Sequence, residues 1–260
     1  MIIGIEGTGS QTWGMIDLQR SFVRKILAQT TESPARYFIG PGDRGSEGET
    51  IITEVLAYIA KNARHSSRLV LVGYSRGAAY CLEVCKRWKR PVDVLVMFDA
   101  VARQPGMEVP QKVPENVRLC LHAYRDPRGG SRIGFGNVGQ HVDTPGKTTF
   151  RHTMAIGSHG AMGGVYWDAA AGESGASGAA IKLMDWYNGD DVDRNTLGLP
   201  KSAQTGLAHD LGAMRKIGDW TWKELRKINL IPDSRDARYD CLAPVFDGGR
   251  VPGVAYFVRG

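Results

Sequence analysis

Leu69-Val-Leu-Val-Gly-Tyr-Ser-Arg-Gly-Ala-Ala-Tyr80 is an apolar run that stops at Gly73-x-Ser75-x-Gly77 and resumes with helix-forming residues. Leu69, Val70, Leu71 and Val72 read as a buried strand; Ala78, Ala79, Leu82, Val84 and Cys85 read as the apolar side of a helix. A strand that turns at Ser75 and enters a helix at Arg76 forces the serine into a tight backbone conformation. Small residues are then required at 73 and 77, because a side chain at either would collide with the neighbouring strand or helix. The turn points the serine hydroxyl outward at a helix N-terminus, where unpaired amides favour developing negative charge. The chemistry this predicts is acyl transfer through Ser75. With 33 glycines in 260 residues, the five-residue pattern alone is weak, and its strand and helix flanks are what give it weight.

Outward from the elbow, strands alternate with helices and loops. Residues 2–6 predict a buried strand ending in Gly7-Thr-Gly-Ser10, followed by a helix over 16–27. Residues 37–39 predict a second strand, 50–59 a helix, 92–98 a strand ending at Asp99, 117–124 a strand ending near Asp126, and 148–156 a strand leading to Gly157-Ser-His-Gly160. This alternation predicts an α/β fold: a mostly parallel, α/β-hydrolase-like sheet flanked by helices, with loops that carry function gathered along one edge. Residues 169–180 are rich in Ala, Gly and Ser, and helices are expected over 180–187 and 207–228, with short strand-like pieces over 245–258. The chain reads as one domain, in which 166–230 form a lid or a helical insertion.

Composition excludes several classes. The opening Met1-Ile-Ile-Gly-Ile5 has no basic leader region, and no run approaches the roughly 20 apolar residues of a membrane span, so a soluble chain without a Sec-type signal is expected. Four cysteines, at 81, 85, 120 and 241, are too few for a disulfide scaffold and lack zinc-ligand spacing. Buried free thiols and no metal or cofactor are the expectation. The net charge of +6 comes from scattered basic residues, which solvated helix faces explain as well as an anionic partner; no nucleic-acid binding is expected.

A serine nucleophile needs a base and a carboxylate to orient that base, and α/β-hydrolases carry them in the order Ser, acid, His. Ser75, Asp99 and His159 follow that order, with Asp126 as the alternative acid because it too ends a strand. Among six histidines, His159 is preferred for its small-residue loop, which admits an imidazole beside a strand end. His141 is the rival, His122 and His152 lie in strands, and His65 and His209 lie at polar helical ends. Backbone amides of Gly7, Thr8 and Arg76 are the expected oxyanion donors. Gly7-Thr-Gly-Ser10 lacks the Lys-Ser/Thr ending of a phosphate-binding loop and the full dinucleotide fingerprint. The tryptophans at 186, 220 and 222 read as core packing, with an acyl-binding or lid surface as the other account.

Five segments resemble one family in order. Glu6-Gly-Thr-Gly-Ser10, Tyr37-Phe-Ile-Gly-Pro-Gly42, Gly73-Tyr-Ser-Arg-Gly-Ala78, Phe98-Asp-Ala-Val101 and Gly157-Ser-His-Gly-Ala-Met-Gly-Gly164 are similar to the conserved loops of the α/β-hydrolase-like domain of type VI secretion phospholipase effectors. The likeness covers about residues 2–165; Glu6 stands where that family has Asp, and Ala100 where it has Thr. The resemblance implies a lipase or phospholipase using Ser75, His159 and Asp99, although the chain is short beside secreted effectors that carry an added membrane-docking region; peripheral contact with a phospholipid surface and export by a specialised secretion system are further expectations. A small-ester hydrolase without lipid preference and a non-catalytic hydrolase-like binding module are the alternatives.

Overall fold

The computed structural model describes residues 1–10, 19–42, 45–63, 68–102, 106–129, 137–165, 210–243 and 255–256. Six parallel strands form the body of the sheet: β1 (Ile2–Ile5), β2 (Ala35–Phe38), β3 (Val70–Tyr74), β4 (Val92–Phe98), β5 (Val117–Arg125) and β6 (Thr149–Ala155). A two-residue β7 (Ala255–Tyr256) pairs with β2, so the order across the sheet is β6-β5-β4-β3-β1-β2-β7. Every pairing is parallel.

Helices cover both faces: α1 (Phe22–Gln29), α2 (Gly48–Asn62), α3 (Arg76–Trp88), the short α4 (His159–Met162) and α5 (Asp210–Lys227). Strand alternation sorts the apolar residues between two cores. Val70, Val72, Val94, Val96 and Phe98 face a core shared with α1, α4 and α5. Leu71, Leu95 and Met97 face the other, shared with α2 and α3. Because both faces are buried, the strands read as near-continuous apolar runs rather than alternating ones. Gly4 brings α1 close to the sheet, since a Cβ there would stand 2.7 Å from Val23 and 2.8 Å from Leu27.

The order in which successive strands are laid across the sheet reverses between β1 and β3. The loop after β1 leads to one face and the loop after β3 to the other, which opens a crevice at their carboxyl ends. Gly7 and Ser75 both lie there.

The single helix expected over 16–27 is broken at Ser21: residues 19–20 are helical, and α1 starts at Phe22 with Ser21 as its cap, its Oγ accepting from Arg24 N at 3.5 Å. Residues 11–18, the expected helix over 180–187 and Trp186 lie outside the described residues. Of the stretch 166–230 read as a lid or insertion, 166–209 also lie outside them. The remainder is packed: α5 buries Ala213, Met214, Ile217, Trp222 and Leu225. Trp222 is a core residue, with its ring centroid 5.4 Å from that of Phe22 and its Nε1 donating to Gln29 Oε1 at 2.7 Å. We expect Trp222→Ala to cost about 3–5 kcal/mol, read as a lowered midpoint in urea unfolding. All four cysteines are buried free thiols. No helix among the described residues is long and apolar enough to cross a membrane.

Candidate active site

Ser75 sits between β3 and α3 at φ 56°, ψ −126°, a conformation that costs a non-glycine residue about 1–3 kcal/mol and persists only where the surroundings impose it. Those surroundings are hydrogen bonds on both sides of the residue. Ser75 N donates to Phe98 O at 2.9 Å, while Ser75 O accepts from Ala78 N at 3.1 Å and Val101 N at 3.2 Å. The flanking glycines have no room for a side chain. A Cβ on Gly73 would stand 2.5 Å from Ala78 Cα, and one on Gly77 would stand 2.3 Å from Ile5 O.

His159 reaches the serine from the loop after β6. Its Nε2 lies 2.8 Å from Ser75 Oγ and its Nδ1 lies 2.7 Å from Asp99 Oδ2. A carboxylate can only accept, so Nδ1 carries the proton and Nε2 is left to accept from the serine hydroxyl. The imidazole is also held from its own element. Ser158 caps the short helix by accepting from Ala161 N at 3.2 Å, and it donates through N and Oγ to the Asp210 carboxylate at 2.7 and 2.5 Å. Tyr74 stacks on the ring at 5.1 Å between centroids and donates its hydroxyl to His159 O at 3.1 Å.

Asp99, fully buried at the end of β4, has φ 45° and donates its N–H to Ala123 O at 2.8 Å. Its Oδ1 accepts from Asn137 Nδ2 at 2.8 Å and Arg125 N at 3.3 Å, and its Oδ2 accepts from Arg125 Nη1 at 2.5 Å as well as from His159. Burial alone would favour the neutral acid. The Arg125 guanidinium and the His159 hydrogen bond outweigh it and hold the carboxyl well below the usual carboxylate range.

The structure therefore joins Ser75, His159 and Asp99 in one hydrogen-bonded chain. Asp126, the alternative acid, is engaged elsewhere: its carboxylate accepts from Arg128 Nε at 3.0 Å and Nη2 at 2.5 Å. The rival histidines also have other settings. His122 is buried between Gly139 O, at 3.0 Å from Nδ1, and Ala100 N, at 3.4 Å from Nε2, and burial pulls it down to about 4. His152 Nδ1 pairs with the Tyr124 hydroxyl at 2.8 Å, and His141 is exposed with its carbonyl bonded to Val113 N. His65 and His209 lie outside the described residues.

The loop after β1 is clamped against the β2 loop. Gly9 N donates to Pro41 O at 2.8 Å, Gly40 N to Ser10 Oγ at 2.9 Å, and a Cβ on Gly40 would fall 1.9 Å from Gly7 O. Beneath it lies Glu6, whose carboxylate accepts from Ser21 Oγ at 2.6 Å, Tyr37 Oη at 3.1 Å and Gly7 N at 3.2 Å. Burial raises this carboxyl above the usual range against those bonds. Of the three expected oxyanion donors, Gly7 N is thus directed at Glu6; Thr8 follows on the same loop, and Arg76 opens α3 directly after Ser75. Among the described residues no group of three or more His, Cys, Asp or Glu is placed to hold a metal ion.

Sequence reasoning passed over Arg125, Asn137, Tyr74 and Asp210. Arg125 carried a signal, a charge closing an apolar strand. Asp210, at the start of a helix 51 positions beyond His159 in the chain, carried none.

Parallel strands, helices on both faces and an elbow serine at the β1/β3 crevice define an α/β-hydrolase-like fold. No known protein-family profile matches the sequence, and no curated protein matches it. Among solved structures, the esterase domain of a Rhodothermus marinus protein is similar over 74% of this chain and 86% of that one, at 13% identity and a TM-score of 0.33. An uncharacterized protein from Pseudomonas aeruginosa is similar over 95% of this chain and 56% of that one, at 11% identity and a TM-score of 0.41.

Proposed function

We propose that this protein is a serine ester hydrolase of the lipase or phospholipase kind, working through Ser75, His159 and Asp99. The single observation that carries the reading is the bridging imidazole, 2.8 Å from Ser75 Oγ on one side and 2.7 Å from Asp99 Oδ2 on the other. In this mechanism Nε2 takes the hydroxyl proton as Oγ attacks the acyl carbonyl, and Asp99 stabilises the imidazolium that forms. The oxyanion faces the N-terminus of α3, with the amides of Arg76 and Thr8 as donors; Gly7 N joins them only by leaving Glu6. His159 then returns the proton to the leaving alcohol, and water repeats the sequence on the acyl-enzyme.

A lipid ester is favoured by the five loops that resemble type VI secretion phospholipase effectors. Peripheral contact with a phospholipid surface and export by a specialised secretion system belong to the same reading. A non-catalytic binding module has no need of a serine held at positive φ beneath an oriented imidazole. The expected result is that a fluorophosphonate probe labels the wild-type protein at Ser75 and fails to label Ser75→Ala. Absence of labelling in the wild type, or equal labelling of both, overturns the proposal. Rates on micellar phospholipid against a short soluble ester then separate a lipase from a small-ester hydrolase.

A further inference from the structure

Arg125 Nη1 stands 2.5 Å from Asp99 Oδ2 and 3.0 Å from His159 Nδ1. A guanidinium nitrogen has protons to give and no lone pair to receive one, and the Nδ1 proton already points at Asp99. The contact between Nη1 and Nδ1 is therefore a close approach of two donors, brought about by the oxygen they share. Arg125 is buried, at 4% exposure, so its charge acts on the ring with little screening.

We propose that Arg125 is a positioning residue that fixes Asp99 for His159 and opposes protonation of the imidazole, keeping the base available at lower pH than an Asp–His pair alone would allow. The inference rests on the serine-hydrolase reading of this site. Asp99 by itself would favour the imidazolium strongly at 2.7 Å; a buried positive charge at 3.0 Å offsets much of that attraction. Other groups face His159 from several elements. From β3 and the elbow after it come the Tyr74 ring and the Ser75 hydroxyl, and from the loop after β5 comes the Asn137 amide, by way of Asp99. From α5 comes the Asp210 carboxylate, spent on Ser158. His122 is neutral through burial, and the Asp126 carboxylate is matched by Arg128, with Lys216 acting on it from α5.

The test compares the wild type with Arg125→Gln and Arg125→Lys by two readouts: the acid limb of kcat/KM against pH, and the pH titration of the His159 ring by NMR. In Arg125→Gln both midpoints are expected to rise by about one pH unit or more, whereas Arg125→Lys keeps them near the wild-type position. Arg125→Met, which is closer to an apolar fill of the same space, serves if Arg125→Gln does not fold by circular dichroism. Midpoints unmoved in the neutral variants, with only a uniform loss of rate, overturn the proposal and leave Arg125 a packing residue. Failure of the underlying reading is distinguishable: the wild type would then go unlabelled at Ser75, or Ser75→Ala would keep the activity, while the ring titration still reports the charge effect.

Discussion

Ser75→Ala is expected to lower kcat/KM for ester hydrolysis on the order of 10⁴-fold or more while leaving the fold intact. The alanine removes only Oγ. The backbone that strains this position is held by Phe98, Ala78 and Val101 through main-chain bonds that survive the substitution. Circular dichroism and a melting midpoint near that of the wild type, measured beside the rate, distinguish loss of the nucleophile from loss of structure. A variant that retains a tenth or more of the activity removes Ser75 from the chemistry.

The second large effect separates the two candidate acids. Asp99→Asn is expected to cost on the order of 10³–10⁴ in kcat/KM, and Asp126→Asn no more than a few-fold. An asparagine at 99 can present an amide N–H where Nδ1–H needs an acceptor, which favours the wrong imidazole tautomer. It also leaves the Arg125 guanidinium buried without its carboxylate, a change worth about 3–5 kcal/mol of stability. Asp126 is half of a local pair with Arg128, whose side chain is 76% exposed, so its removal costs little of either. Parallel rates and urea midpoints for both variants check this, and equal losses at 99 and 126 contradict the assignment.

Much of this site was legible in the chain because the informative contacts are local. The run from Leu69 to Tyr80 encodes strand, turn and helix within twelve residues, and Gly73 is demanded by Ala78 within it, while Gly77 is demanded by Ile5 O on the neighbouring strand. Strand ends were read to within a residue or two, since buried parallel strands are continuous apolar runs bounded by loop residues. Helix bounds were looser. The helix expected over 50–59 runs from Gly48 to Asn62, and the helix expected over 16–27 is broken at Ser21, which caps α1 and donates to Glu6.

The sequence favoured Asp99 over Asp126 by its place after the strand beside the elbow, but what separates the two acids physically was not legible. Both acids end adjacent strands, and each is bound to an arginine. Asp126 takes Arg128, two residues along the chain, and Asp99 takes Arg125, 26 residues away across the sheet. Only the register of β4 against β5, which pairs Phe98 with Ala123, brings Arg125 beside Asp99. Likewise only packing of α5 on the sheet brings Asp210 under Ser158.

The sequence by itself determined the α/β class, the elbow at Ser75 and the order in which serine, acid and histidine occur, because periodicity and glycine placement are properties of neighbours in the chain. The tertiary structure alone decided which carboxylate meets His159 and that a buried arginine shares that carboxylate with it. Those depend on distances across strands, where hydrogen-bond register and burial, not sequence spacing, set what touches what.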